Sequence, residues 1–416
     1  MAPVVEVQVI SGEREVGGVC IAVRDRGETI VLDQGIRFSV FRRLYGYRIR
    51  PLGPVELRAT GVLPPLEKLQ EAKALYITHL HLDHLGLLGD LPYELEVRVP
   101  STAMVELLGS WYRDSPDWMS YLPPGYATRL VEAEPMVTDA NNVVALPVPH
   151  SAYPSTAYLY FGSDENVLYT GDLRLEHLSK TLGSAQQGNL FTYLEDNPDL
   201  RVDTLLVEGT NFGRPVAPLK GEDLRRVLRE VVRLQAPLLV AVHRMELDLF
   251  LAVLEELVSA NRVALVASAR IIDLLEAWSH SLSIPMEWIR RPLTLAEKPS
   301  QVELAGPDEL RSPGGYAVIA DLFELVDFAR SSEVELRGGH ALLLTSEVEA
   351  EEGLEESLAV GWLRRLGLQP YRLRVSGHYY PHELPELLAL LRPRRVIPVH
   401  TEAPDMLVEL WRRVAG

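Results

Sequence analysis

The stretch Thr78-His79-Leu80-His81-Leu82-Asp83-His84-Leu85-Gly86 constrains this chain more than any other. Three of its 11 histidines and one aspartate fall within six positions, directly after the apolar run Ala74 to Ile77. An apolar run that ends this way predicts a buried strand delivering side chains into a tight loop. Neutral imidazoles joined by a carboxylate are the donor set that a borderline cation such as Zn²⁺ prefers. Alternation along the chain points His79 and His81 the same way, and the turn that follows carries Asp83 and His84 toward a second ion. The fold must therefore bring a strand end to a metal edge.

Other residues repeat the pattern of an apolar run that closes on a ligating side chain. Val148-Pro149-His150 presents an imidazole and Tyr169-Thr170-Gly171-Asp172 a carboxylate. Asp172 is suited to bridge two ions. Asp33, at the end of Ile30-Val31-Leu32-Asp33, is expected to support the ligand loops by hydrogen bonds rather than to bind metal. Arg174, two positions beyond Asp172, is a candidate for a substrate phosphate, with a structural ion pair as the plainer alternative. Cys20, the single cysteine, sits in the apolar run Val19 to Val23 and is expected to be a small buried hydrophobe; it rules out a disulfide framework.

Two rhythms divide the chain. Up to about residue 208 short strand runs alternate with turns, predicting sheets packed face to face with helices outside. From about Gly209, longer helices alternate with apolar strands at Leu238 to Val242, Arg262 to Ala267, Tyr316 to Ile319 and Ala341 to Leu344, which predicts a small open α/β block. Strand Tyr371 to Val375, helix His382 to Leu390 and strand Arg394 to Val399 close the sequence. The acidic run Glu347 to Glu356 reads as a solvated face. No run of 18 apolar residues and no leader-like segment is present, so a soluble cytoplasmic protein without a membrane partner is expected.

Val375-Ser376-Gly377-His378 and Ile397-Pro398-Val399-His400-Thr401-Glu402 each carry a histidine after a strand run, and Leu206-Val207-Glu208-Gly209-Thr210-Asn211 carries an acid. With the His79-x-His81-x-Asp83-His84 core, Asp33, His150 and Asp172, these segments resemble the metallo-β-lactamase superfamily. The resemblance narrows to its β-CASP branch and, within that, to ribonuclease J-type RNA-processing nucleases, and it spans nearly the whole chain. It implies an α/β (α+β) fold: a metallo-β-lactamase αββα sandwich made of residues 1–208 and 372–416, with a β-CASP domain, 209–371, inserted between them.

The resemblance also implies roles. His79, His81, Asp83, His84, His150, Asp172 and His400 would hold two Zn²⁺ ions, with Mn²⁺ an admissible replacement. Asp83, His378 and Glu208 would serve catalysis, and Ser376, His378 and Arg174 would meet the substrate phosphate. The implied reaction is hydrolysis of single-stranded RNA, 5′-to-3′ with endonuclease activity as a second mode; DNA stays open as a substrate. Bacterial members usually carry a further domain, whereas this sequence closes shortly after His400, which leaves homo-oligomerisation and processivity open. Tyr379-Tyr380 after His378 also departs from the family's small residue and is expected to alter packing around a nucleotide.

The formal charge of −17 works against gripping a polyanion through the overall field, so local basic patches must do it. Arg42, Arg43, Arg48 and Arg50 interleave with Phe41, Tyr45 and Tyr47, combining charge with rings able to stack on bases; a solvated Arg-rich element is the plainer alternative. His243 and Arg244 follow the inserted block's first strand and are candidates to face the substrate. His177, His280, His340 and His382 read as ordinary surface or core residues. Two other functions remain: hydrolysis of a small ester, thioester or lactone, and a non-catalytic RNA-binding scaffold. The first leaves the inserted block without a task, and the second leaves a full ligand set without one.

Overall fold

A computed structural model describes residues 4–46, 48–113, 129–186, 188–215, 217–306, 308–331, 335–345 and 352–415. The chain forms two compact units. The first comprises Met1–Leu175, Gln186–Pro215 and His378–Gly416; the second comprises Glu176–Ala185 and Val216–Gly377.

The first unit contains two sheets. One runs in the order β1 (Glu6–Ser11), β2 (Cys20–Asp25), β3 (Glu28–Leu32), β4 (Ala74–Tyr76), β5 (Glu96–Val99), β6 (Arg129–Glu132). Its first three strands are antiparallel neighbours, and from β3 onward the pairing is parallel. The other is built from β7 (Val143–Pro147), β8 (Thr156–Phe161), β9 (Asn166–Tyr169), β10 (Thr204–Glu208) and the closing strand Arg395–Val399, which pairs parallel to β10. Ile21, Val23, Ile30, Leu32 and Tyr76 from the first sheet meet Val143, Tyr158, Val167, Tyr169 and Leu206 from the second in one buried core. The alternate side chains Val144, Leu146, Leu159, Leu168 and Leu205 pack outward against helices Leu190–Asp196, Leu384–Leu391 and Pro404–Ala415. Strands buried on both faces must be apolar at consecutive positions, and Thr204–Glu208 is buried throughout. The result is an αββα sandwich. Cys20 lies fully inside it, and burial pushes its thiol pKa upward, as expected of a structural residue.

The second unit is an open, wholly parallel sheet. β11 (Leu238–Ala241), β12 (Val263–Val266), β13 (Ile289–Arg290), β14 (Tyr316–Ala320), β15 (His340–Thr345) and β16 (Gln369–Arg374) lie in the order β13-β12-β14-β11-β15-β16. The segment Glu176–Ala185, which sequence reading assigns to the first domain, packs here instead. The Asp248 carboxylate accepts the backbone N–H groups of Leu178 and Ser179 at 2.9 and 2.8 Å, and Glu255 accepts that of Thr181 at 2.9 Å. The boundaries expected at 208/209 and 371/372 fall near 215/216 and 377/378 for the main segments.

Arg262 anchors this unit. Its buried guanidinium donates to the carbonyls of Val232, Leu234, Ala236, Pro313 and Tyr316. Arg262→Met is expected to destabilise the unit by more than about 3 kcal/mol, since each buried carbonyl left without a donor costs about 1–3 kcal/mol. Urea unfolding would show this as a lowered midpoint, and an unchanged midpoint would mean that water replaces the guanidinium without loss.

Several local expectations change. Phe41 and Tyr45 do not stand out as stacking platforms: they lie buried on one side of helix Phe38–Tyr45, with ring centroids 5.0 Å apart. Their i,i+4 spacing places both on the helix face turned to the core. Tyr47 lies outside the described residues. Within the acidic run, 347–351 lie outside them too, whereas Glu356 is buried and paired with Arg372 at 2.5 Å rather than solvated. Among the described residues, no helix is long and apolar enough to cross a membrane.

Candidate metal centre

Strands β3 and β4 run parallel in one sheet, as do β7, β9, β10 and the closing strand in the other, and the ligating side chains at their carboxyl ends converge. Asp33, the loop 78–84, His150, Asp172 and His400 each follow one of those ends, and Glu208 is the last residue of β10. Asp33 and His400 adopt left-handed backbone angles, with φ of 57° and 51°. Non-glycine residues hold that conformation at a cost, which the surrounding contacts must offset. At Gly35 the loops approach so closely that a Cβ would lie 1.6 Å from the Asp83 carbonyl oxygen, so only glycine fits.

Asp33 organises the histidine loop. Its carboxylate accepts the Thr78 N–H, the Thr78 hydroxyl and the Tyr169 hydroxyl, each at 2.8 Å, and lies 2.7 Å from His84 Nδ1. An imidazole that donates Nδ1–H to a carboxylate turns the lone pair of Nε2 the other way. For His84 that direction leads to Asp172, whose Oδ2 is 3.2 Å from Nε2.

The same oxygen of Asp172 is the hub of the site. It lies 3.7 Å from His79 Nε2, 3.9 Å from His150 Nε2, 3.6 Å from His400 Nε2 and 3.9 Å from His378 Nδ1. His79, His81 and His150 converge on one side, and Asp83, His84 and His400 on the other; within each trio the ligand atoms lie within 4.8 Å of one another. His400 Nε2 is 3.2 Å from Asp83 Oδ2, and its Nδ1 is 2.7 Å from the Thr210 hydroxyl, which sets the ring's orientation.

The electrostatics suit cations. Burial opposes charge on His84, yet Asp172, Asp33 and Asp83 push its pKa well above the usual imidazole value. Burial likewise opposes charge on Asp172, but His400, His84 and His378 hold its pKa well below the carboxylate range. His79 and His150 are driven well below the ordinary value, first by burial and then by neighbouring imidazoles, so they stay neutral, whereas His84 holds a proton that a bound cation would displace. His84 Nε2 and Asp172 Oδ1 are buried and make no hydrogen bond among the described residues. Orphaned polar atoms amid five further ligand groups are what a divalent cation satisfies, and these His/Asp clusters could bind metal ions.

His378 and Glu208 form a separate pair beside this set. His378 Nδ1 lies 3.1 Å from Glu208 Oε1, and the other Glu208 oxygen accepts the Thr210 N–H at 2.8 Å. Tyr379, expected to affect nucleotide packing, is instead a core residue whose hydroxyl donates to the Glu208 carbonyl at 2.6 Å. Arg174 is buried; its N–H donates to the Pro149 carbonyl at 2.6 Å, tying the His150 and Asp172 loops together. Ser376 belongs to the second unit. So do His243, which stands exposed after β11, and Arg244, which pairs with Asp321 at 3.5 Å. Sequence reading missed Tyr169, Thr210 and the structural role of Tyr379: a hydroxyl that acts across 136 or more positions leaves no local signal.

Residues 14–240, more than half of the 416, match the Metallo-beta-lactamase superfamily. A protein named Ribonuclease J from Mycolicibacterium smegmatis is 23% identical, over 95% of this chain and 68% of its own length. Ribonuclease J from Pyrococcus abyssi is 21% identical, over 96% of this chain and 90% of its own. A crystal structure of a protein of unknown function from Enterococcus faecalis V583 superposes with a TM-score of 0.67 at 19% identity, covering 97% of this chain and 95% of that one, a likeness of fold alone.

Proposed function

This chain belongs to the metallo-beta-lactamase superfamily, and from that premise we propose that it is a zinc-dependent ribonuclease that hydrolyses RNA phosphodiester bonds with two ions per chain. The observation that carries the reading is the hub at Asp172, where one carboxylate oxygen lies within 3.9 Å of five imidazoles drawn from four separate segments of the chain. RNA as substrate is supported by the likeness to proteins named Ribonuclease J over nearly the full chain.

His79, His81 and His150 would hold one ion and Asp83, His84 and His400 the other, with Asp172 between them. When bound, the zinc pair supplies Lewis acidity toward the phosphoryl oxygens and makes water a competent nucleophile near neutral pH. Asp33 and Thr210 orient the imidazoles of His84 and His400. Glu208 accepts from His378 Nδ1 and so directs Nε2 of that ring outward, where in its protonated form it donates to a non-bridging phosphate oxygen. Arg174 braces the loops of His150 and Asp172. A 5′-to-3′ exonuclease with an endonuclease mode is the form of the activity that the ribonuclease J likeness favours.

The test offers the zinc-loaded protein 5′-monophosphorylated, 5′-triphosphorylated and internally labelled RNA, matching DNA, a lactone, a thioester and a β-lactam. RNA is expected to be hydrolysed fastest, with loss on chelation and recovery on adding zinc. Rising salt should slow it by screening phosphate contacts. Lactone turnover with inert RNA would overturn the assignment, and product lengths over time separate the two modes of attack.

A further inference from the structure

An open groove of about 450 Å³ lies wholly within the second unit, bordered by helix Gly221–Val232 and the segment 176–185. Lys180, Arg225, Arg229 and Arg233 line it, against two carboxylates, Glu255 and Glu256. Those carboxylates are already engaged. Arg225 holds Glu255 at 2.7 Å and Glu256 at 3.0 Å, and Glu255 also accepts the N–H and hydroxyl of Thr181 at 2.9 and 3.0 Å. Lys180, Arg229 and Arg233 are exposed and make no ion pair among the described residues. Four cations against two acids leave this groove positive on a chain whose formal charge is −17.

Leaving like charges together and unpaired raises electrostatic energy, which a bound polyanion lowers. Arg225, Arg229 and Arg233 recur every fourth residue, a rise of about 6 Å per step at 1.5 Å per residue. That step is close to the spacing of successive phosphates along an extended single strand. The groove offers no aromatic side chain among its lining residues, so it provides charge without base stacking.

We infer that this groove is an accessory binding track for the sugar-phosphate backbone of single-stranded RNA, separate from the metal centre and indifferent to base sequence. The inference rests on RNA being the substrate. It assigns the local basic surface that a strongly acidic nuclease requires to the second unit rather than to the Arg-rich stretch after Asp33.

The test compares the zinc-loaded wild type with a variant carrying Lys180→Gln, Arg229→Gln and Arg233→Gln, all exposed positions outside the metal centre. Fluorescence anisotropy with a long nuclease-resistant phosphorothioate RNA reads binding, and cleavage of an oligonucleotide too short to reach both places reads the metal centre. Binding should weaken about tenfold or more, and the slope of log affinity against log salt should become shallower by about 2, since each contact to a single strand contributes about 0.7. Short-substrate cleavage should be unchanged, and Arg→Lys versions at 229 and 233 should restore most binding. Unchanged affinity and salt slope overturn the track. If wild type neither cleaves the short RNA nor responds to zinc, the ribonuclease reading fails by itself, and the anisotropy comparison still decides whether the groove binds the strand.

Discussion

On the proposed two-zinc centre, Asp172→Asn is expected to remove at least one zinc equivalent and to slow RNA cleavage by more than the roughly 10–100-fold that losing an outer-shell partner costs. The reason lies in the position of one atom. Oδ2 of Asp172 lies between the trio His79, His81, His150 and the trio Asp83, His84, His400, within 3.7 Å of imidazoles from both. An amide keeps the volume but removes the negative charge, and it presents either a neutral oxygen or an N–H₂ that repels cations. The charge also matters without metal, because Asp172 heads the acidic groups that raise the His84 pKa. Elemental analysis after gentle purification, paired with single-turnover cleavage, makes the measurement. A variant that retains two equivalents and wild-type rates would remove Asp172 from the centre, and with it the argument for paired ions. Circular dichroism on the same samples separates metal loss from unfolding.

The residues proposed as ligands stand out in the sequence because metal chemistry concentrates rare residues in short, recognisable patterns. His79, His81, Asp83 and His84 lie within one loop, and His150, Asp172 and His400 each follow an apolar run, so strand ends could be read before any pairing was known. Asp33 was legible for the same reason, as a polar residue closing a buried strand. Its four hydrogen-bonding contacts explain why a carboxylate is needed there. Thr210 and Tyr169 were hidden because threonine and tyrosine are common and their partners lie 190 and 136 positions away.

The fold divides along similar lines. The buried strands of the second unit were readable, with ends shifted by at most two residues, because apolar runs mark them directly. Arg129–Glu132 and Ile289–Arg290 were not. Both lie at sheet edges, where charged residues guard exposed backbone groups and periodicity fades. The return of residues 176–185 to the second unit was also invisible, since it depends on the Asp248 and Glu255 carboxylates holding backbone N–H groups. Arg42, Arg43 and their neighbouring rings misled in the opposite direction: composition resembled a base-stacking platform, while helical spacing turned Phe41 and Tyr45 inward.

The second large effect separates two histidines that sit in the same corner. His378 and His400 have ring centroids 5.6 Å apart, and both lie near Asp172, so proximity alone assigns them the same work. Their partners differ. His400 places Nε2 3.2 Å from Asp83 Oδ2 and 3.6 Å from Asp172 Oδ2, with Nδ1 held by a neutral hydroxyl, the arrangement of a ligand imidazole. His378 spends Nδ1 on the Glu208 carboxylate at 3.1 Å, and that carboxylate is itself fixed by the Thr210 N–H. Asp33 holds His84 in a similar way, so the partner alone does not set His378 apart; its nitrogen nearest Asp172, at 3.9 Å, is the same Nδ1 already engaged by Glu208, which leaves Nε2 to carry a proton toward a phosphate oxygen. His378→Ala is therefore expected to keep folding and both zinc equivalents while cleavage falls about 10²–10³-fold, some 2.7–4 kcal/mol, as when a single oxyanion donor is removed. The loss should appear in the rate of the chemical step rather than in substrate affinity, because the charge it meets develops mainly in the transition state. His400→Ala should lose metal first, and added zinc should restore part of its activity. Glu208→Gln provides the link between them: it keeps the shape but weakens the hold on Nδ1, so it should follow His378→Ala in rate and wild type in metal content. Metal content and single-turnover cleavage on all three variants decide the matter. If His378→Ala loses a zinc equivalent, that residue is a ligand and Glu208 its outer-shell support; if it cleaves at the wild-type rate with full metal, its bond to Glu208 only holds the site together.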